Sequence, residues 1–481
     1  MYISKILFTI LFILKLISIN SLNYISFKLT SYSNDYISSL PLNSFSLTDF
    51  LNYTISNKIY TSLKIGTPPQ EIKTWIDPDE YSYYLFKDIC VLSSKFDENQ
   101  STTFKPITVN SRNTFYYQEY TSAFYANETI ILNTDINNKN KEISISNFPF
   151  MFMTNPLNDS FYSERHNLEE VITNNSCATI GFRPTTNYHD AISKNFLITL
   201  KQYNIIDSYV MFFIYDKRGN EDFLIFGRYP EEIFPEKYTT ENTKKTYINL
   251  YNRFKSHFGL KFDEIISGNN ESFYERNVAL HYNLGGILGT VEYENYIKEN
   301  YFQFYFDNKI CKIRYLYHYN AYVCNKNNFT KNDLKKFPSL KMKSSGLNET
   351  FYLDYDDLFL LKDDFYYFLI VFHETYNDMW EFGKPFLKKY FFAFNFDSKL
   401  ILYYNEINKD INDFQISNTK YYFIIIILGI IFSIVFFLLG KKIYNRRKKR
   451  LNAEELEQNF SYQTYEPPLN DTNKNNVKGN I

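Results

Sequence analysis

An excess of charge of either sign is missing from this chain. Its 52 lysines and arginines meet 53 aspartates and glutamates, for a net charge of −1. Such a balance gives nucleic acid no bulk field to follow, so no nucleic-acid partner is expected. Cysteine is scarce, with four among 481 residues, and none stands in a Cys-x-x-Cys pair. The six histidines are scattered. A zinc centre needs ligands at close spacing, so neither a metal nor a cofactor is expected. Glycine is also sparse, at 14, whereas tyrosine and phenylalanine reach 45 and 47. That bias reads as AT-rich coding, and it leaves ample apolar surface for a sizeable core.

Long apolar runs occur at the two ends only. Met1 to Ser21 has Lys5 near its start and an apolar stretch from Ile6 to Ile19, broken by Lys15. It reads as a secretory signal peptide (1–21), with an uncleaved anchor as the alternative. Tyr421 to Gly440 carries no charge, and Lys441, Lys442 and Arg446 to Arg450 follow it. About 20 apolar residues cross a membrane as a helix, and positive residues stay cytoplasmic. The expectation is a single-pass type I membrane protein of the secretory pathway, at the cell surface or in a lysosome-like compartment. Its ectodomain would be luminal or extracellular, with a stalk (409–420), a transmembrane helix (421–440) and a polar tail (441–481).

In that oxidising setting Cys90, Cys177, Cys311 and Cys324 allow three pairings. Cys311 and Cys324 are close enough to bridge a hairpin, which leaves Cys90 for Cys177. Sequons at Asn52, Asn99, Asn127, Asn158, Asn174, Asn270, Asn328 and Asn348 are candidate glycan sites.

Between the ends, short apolar runs alternate with turn signals, which predicts an all-β chain with few helices. Strands are expected at Asn147 to Met153, Phe258 to Ile266, Val278 to Tyr282, Phe302 to Phe306 and Leu340 to Met342. Hairpins are expected over Phe115 to Leu132 and Tyr209 to Phe226. Phe196, Leu197, Leu200 and Tyr203 fall at helical spacing. Residues 22–54 show no firm period and read as a leading strand or the remnant of a pro-region.

One stretch organises the rest: Ile59 to Cys90. Leu63 and Ile65 alternate with polar neighbours, and Ile72, Thr74 and Ile76 share a face, so two strands flank Gly66-Thr67-Pro68-Pro69. Glycine is free to adopt positive φ there, and proline presets φ. The second strand ends in a carboxylate, Asp77, which reads as either a solvated loop residue or a working group.

Ile65-Gly66-Thr67-Pro68-Pro69-Gln70 followed by Asp77 resembles the first catalytic loop of pepsin-like aspartic peptidases. Further segments resemble the same family in order: Asn99 to Pro106, Ala178 to Phe182, Ile225 to Arg228, Phe337 to Leu340 and Trp380 to Tyr403. The resemblance implies an all-β, bilobal pepsin-like fold, with an N-terminal lobe at 55–235 and a C-terminal lobe at 236–408. It places Asp77 on the first catalytic aspartate and Tyr116 or Tyr117 on the flap tyrosine. It also implies a peptide or protein ligand in the interlobe cleft.

The departures bear on the chemistry. Pro78 and Asp79 stand where the family has threonine and glycine. In the second half, Asn283-Leu284-Gly285-Gly286 is the register that keeps the family's glycine, and it puts Asn283 at the second aspartate. The family's reaction needs two carboxylates sharing one proton. An amide keeps the shape but does not titrate. An Asp77–Asp79 acid pair is the alternative source of the second carboxylate, and against it stands that alternate side chains leave one loop in the same direction. The resemblance thus implies a proteolytically inactive member of the aspartic endopeptidase family that binds rather than cuts. The alternative is an active, atypical endopeptidase of an acidic or secretory compartment.

Overall fold

The computed structural model describes residues 24–31, 45–55, 59–77, 83–86, 95–107, 112–116, 119–133, 142–156, 176–182, 195–215, 222–248, 258–268, 271–316, 318–374, 379–405 and 435–456. For 112–116, 119–123, 153–156, 271, 274 and 275 it describes the backbone alone. The described residues up to 405 belong to one compact unit, and 435–456 to another.

Strands account for 47% of the structure and include a closed six-strand barrel and a half-barrel. They pair into a fourteen-stranded and an eleven-stranded sheet. The first sheet begins with β1 (Ile25–Ser31), and helix α1 (Leu47–Ile55) follows. Next come β2 (Ile59–Ile65), β3 (Gln70–Asp77) and β4 (Tyr83–Phe86). β5 (Arg112–Tyr116), β6 (Glu119–Asn133), β7 (Glu142–Pro156) and β8 (Ala178–Gly181) continue it. Helix α2 (Phe196–Gln202) precedes the hairpin β9 (Val210–Ile214) and β10 (Asp222–Phe226). The second sheet contains β11 (Phe258–Ser267), β12 (Glu271–Leu280) and β13 (Ile287–Gly289), with helix α3 (Val291–Ile297) after them. β14 (Cys311–Leu316), β15 (Tyr319–Asn325), β16 (Leu340–Ser344), β17 (Ile370–His373) and β18 (Trp380–Phe382) complete the part used below, and helix α4 (Lys384–Lys389) follows.

The β2–β3 hairpin follows from its sequence. Leu63, Ile65, Ile72, Thr74 and Ile76 are buried, as the alternation requires. Gly66 turns the chain at φ +92°, a conformation open to glycine at little cost. α2 also forms where its spacing puts it, with Asn195 Oδ1 accepting from the Ile198 amide as its cap.

Two expectations fail here. The first is the fold class as all-β with one C-terminal transmembrane helix. Among the described residues no helix is long and apolar enough to cross a membrane. The expected span, 421–440, lies outside the described residues as far as 434. The helix at 435–456 turns charged at Lys441 and carries Arg446 to Arg450, so no apolar run of sufficient length remains in it. Residues 1–21 and the stalk, 409–420, also lie outside the described residues.

The second failure is Phe302 to Phe306, which is helical rather than extended. A short apolar run does not distinguish the two periods. The helical one wins because Phe302 and Phe306 stack at 5.6 Å on one face, and Phe302 also packs on Tyr322 at 4.9 Å.

Candidate functional site

Asp77 closes β3 and is buried, at 1% exposure. β3 runs parallel to β8, with Ile76 beside Ile180 and Asp77 beside Gly181. β4 returns antiparallel on the other side of β8, with Tyr83 beside Ile180, and pairs in parallel with β7. Ile76 and Tyr83 therefore flank one residue, Ile180, from either side. Pro78 and Asp79, on which the departure from the family turns, lie outside the described residues.

The turn before β3 is clamped from below. Gln70 Oε1 accepts from the Asp97 amide at 2.7 Å, and its Nε2 donates to the Asp97 carbonyl at 2.8 Å. Ser101 Oγ accepts from the Thr67 amide at 3.1 Å and donates to Glu128 Oε2 at 2.6 Å. Thr103 Oγ1 donates to Glu128 Oε1, which also accepts from the Thr129 amide at 2.6 Å. Glu128 is fully buried. The Gly-Thr-Pro-Pro turn thus rests on a carboxylate satisfied by hydroxyls and an amide.

The second half repeats this arrangement. β12 runs parallel to β18, with Leu280 beside Phe382. β13 returns antiparallel to β18, with Ile287 beside Phe382, and pairs in parallel with β17. Ile76–Ile180–Tyr83 in one half thus matches Leu280–Phe382–Ile287 in the other, and loops 77–82 and 281–286 have equal length. Gly181 and Gly383 follow the two central residues. In this register His281, not Asn283, stands at the place matching Asp77, and its amide donates to the Phe382 carbonyl at 2.9 Å. Asn283 lies two residues further on, where the first loop has Asp79. It is 7% exposed, and its Oδ1 has no hydrogen-bond partner.

The spacing could have revealed His281. Counting from the strand end preserves loop length, whereas aligning on glycine trades loop length for one matching residue. Phe182 and Tyr282 both pack on the β9–β10 hairpin. Phe182, which follows β8, packs on Phe226 at 5.8 Å. Tyr282 stacks on Phe213 at 3.7 Å, and Phe213 pairs with Leu224.

The leading segment covers the second loop. Ser46 and Asp49 cap α1 reciprocally: the Ser46 amide donates to Asp49 Oδ2 at 2.8 Å, and the Asp49 amide to Ser46 Oγ at 3.2 Å. Phe50, Leu51 and Thr54 are buried. Phe50 and Leu51 share a cluster with Leu284, Leu288, Tyr367, Leu369 and Val371. The Thr54 carbonyl accepts from the Gly286 amide at 3.1 Å. A Cβ on Gly286 would meet the Leu369 carbonyl at 2.6 Å and Thr54 Cβ at 3.0 Å, so that position takes glycine for the close approach. The segment that showed no period holds a strand and a helix. The Ser-x-x-Asp cap ahead of Phe50, Leu51 and Thr54 was the signal available.

Tyr116 ends β5 and pairs with Glu119 across a tight hairpin, while Tyr117 lies outside the described residues. Cys311 and Cys324 face each other in β14 and β15 and are bridged, as expected. Cys90, the expected partner of Cys177, lies outside the described residues. No group of three or more His, Cys, Asp or Glu that could hold a metal ion occurs among the described residues.

Beside the disulfide hairpin, Glu294 of α3 accepts from Asn320 Nδ2 at 3.0 Å and Tyr322 Oη at 3.2 Å. Burial raises its carboxyl above the usual range, against the pull of those two donors. A carboxyl whose folded pKa is raised gives its full stability below the unfolded value and loses it as pH rises through the folded one. Glu294→Gln keeps an acceptor for both donors and removes the titration. Urea melts from about pH 4 to 7 should show the variant gaining on the parent as pH rises.

No family model matches the chain, and no curated protein matches it.

Proposed function

We propose that this chain is a proteolytically inactive relative of the pepsin-like aspartic peptidases that binds a peptide or protein segment at the paired loops. The observation that carries the reading is the strand register: opposite numbers in the two loops are Asp77 and His281. Asn283, the position that sequence matching selects, is an amide. Neither candidate supplies the second carboxylate.

An aspartic peptidase needs one ionised carboxylate to take a proton from water and one protonated carboxyl to donate to the substrate carbonyl. A positioned acid–base group contributes about 10²–10⁴-fold, and losing one member of a coupled unit costs more. Leu284 deepens the loss. It is 3% exposed and faces the apolar underside of α1, where it has no hydroxyl to tie the loops together. What remains is a pair of loops with backbone groups and one buried acid, which suits holding a chain in extended form. The Cys311–Cys324 bridge fits an oxidising, secretory setting.

The test is selection of peptides from a random library by the immobilised protein, followed by mass spectrometry of both the retained and the released fractions. The reading expects a retained set of common character, all intact, and weakened retention with Asp77→Ala. Retention that Asp77→Ala leaves unchanged would place any binding elsewhere on the molecule.

A further inference from the structure

The helix at 435–456 carries two unlike surfaces on one rod, and each of its residues from Phe436 onward is exposed. Seven lysines and arginines fall between Lys441 and Arg450, and no acid occurs in the helix before Glu454. The chain as a whole carries a net charge of −1, so this is a strong local excess. Helical spacing, at about 3.6 residues per turn, sorts these side chains. Lys442, Arg446 and Lys449 share one side. Phe437, Tyr444 and Leu451 stand seven residues apart on the opposite side, and they are 72%, 66% and 63% exposed. Their stripe runs about 21 Å along the rod, at about 1.5 Å per residue. Phe436 and Ile443, also exposed, border it.

We propose that this helix lies on the surface of an anionic lipid bilayer, with Phe437, Tyr444 and Leu451 toward the acyl chains and the lysines and arginines on the acidic headgroups. Charge complementarity fixes the sign of the partner, since cations with no acids among them are drawn to a negative surface. The apolar stripe fixes its kind. Large apolar side chains standing in water gain by burial, and an acidic surface alone satisfies the cations and leaves the stripe wet. A bilayer takes both, because an amphipathic helix in the headgroup region sinks its apolar side toward the hydrocarbon. Such a helix lies along the bilayer and does not cross it.

Two residues fit that depth in particular. Arg447 falls within the apolar side by its spacing. A long stem there packs among apolar groups while the guanidinium reaches back to the headgroups. Tyr444 offers an apolar ring and a polar hydroxyl, the combination that suits a boundary between oil and water. The assignment holds whatever the paired loops bind.

The test floats the full chain with vesicles of phosphatidylcholine, either alone or with about 30% phosphatidylserine. Neutral vesicles register what the apolar residues of the chain contribute by themselves, so the quantity read is the gain on adding the acidic lipid. That gain should be about tenfold or more in partition at low salt, and should shrink as salt rises from about 0.05 to about 0.5 M. Replacing the seven basic residues by glutamine keeps the helix propensity. It should abolish the gain and leave partition onto neutral vesicles in place. Phe437→Gln, Tyr444→Gln and Leu451→Gln together keep every charge and should still weaken partition onto the acidic vesicles several-fold. Equal partition of the parent onto neutral and acidic vesicles overturns the proposal without any variant. A gain that survives loss of the seven basic residues overturns it too, because the contact then lies elsewhere in the chain. A gain that needs the basic residues but ignores the apolar replacements marks a site for polyanions in general, such as an acidic protein, and overturns the lipid assignment.

Discussion

Phe50→Ala should cost the folded unit about 3–5 kcal/mol. The side chain is fully buried, and its ring stacks on Tyr367 at 4.8 Å. It belongs to the cluster that includes Leu284 and Leu369, and the Leu369 carbonyl is the atom that a Cβ on Gly286 would meet. Removing it strips the transfer free energy of a large aromatic side chain and leaves a cavity that the short helix cannot close. α1 holds its place by this apolar contact and by the bond from the Gly286 amide to the Thr54 carbonyl. The loss should therefore reach loop 281–286 as well as global stability. Urea denaturation should show a lower midpoint with unchanged slope. Tyr247→Ala, at a side chain 77% exposed, should stay within about 0.5 kcal/mol of the parent and serves as the control. A Phe50→Ala midpoint equal to that control would show that α1 does not pack on the second loop.

Glu128→Ala should be of comparable size, about 3 kcal/mol or more, for a different reason. The carboxylate is fully buried and accepts from Ser101, Thr103 and the Thr129 amide. Alanine strands the buried Thr129 amide, and the half-buried Ser101 and Thr103 hydroxyls keep only each other and Thr67 as partners, where each buried unmet donor costs about 1–3 kcal/mol. The Thr67 amide and hydroxyl bond to the same Ser101 and Thr103 hydroxyls, so the Gly66 to Pro69 turn should loosen with them. Glu128→Gln keeps one acceptor oxygen but turns an amide N–H₂ toward donors, and should recover only part of the loss. Hydrogen exchange at Gly66, whose amide donates to the Thr129 carbonyl, reports the turn directly. Exchange there should quicken in Glu128→Ala more than in β9, which lies away from the turn.

The parts of the chain legible in sequence share one property: a local pattern sufficed. Ile72, Thr74 and Ile76 alternate and are buried. Gly66 stands where positive φ is needed, and Asn195 caps the helix that its spacing announces. Cys311 and Cys324 are near neighbours in chain and in space. The misses are cases where tertiary contacts decide. Phe302 to Phe306 is apolar enough for either period, and it became helix because its face packs on Tyr322. α1 is a short helix whose stability comes from Tyr367 and Leu284, far along the chain. Asp77 is the last residue of a strand whose pattern announces it. Asn283 is selected where glycine identity sets the register in sequence, whereas counting from the strand ends puts His281 at the position equivalent to Asp77. The apolar segment up to Gly440 gave a strong one-dimensional signal, yet the described helix, 435–456, is charged from Lys441 onward.

Under the proposed function these loops do not carry the proton chemistry of a peptidase. The most direct measurement is hydrolysis of a broad peptide library by the purified folded protein, from about pH 3 to 7, with Asp77→Ala alongside. The account predicts no cleavage above the Asp77→Ala background at any pH. Cleavage that is present in the parent and absent in Asp77→Ala would contradict it, and would mean that a second proton-transfer group works with Asp77.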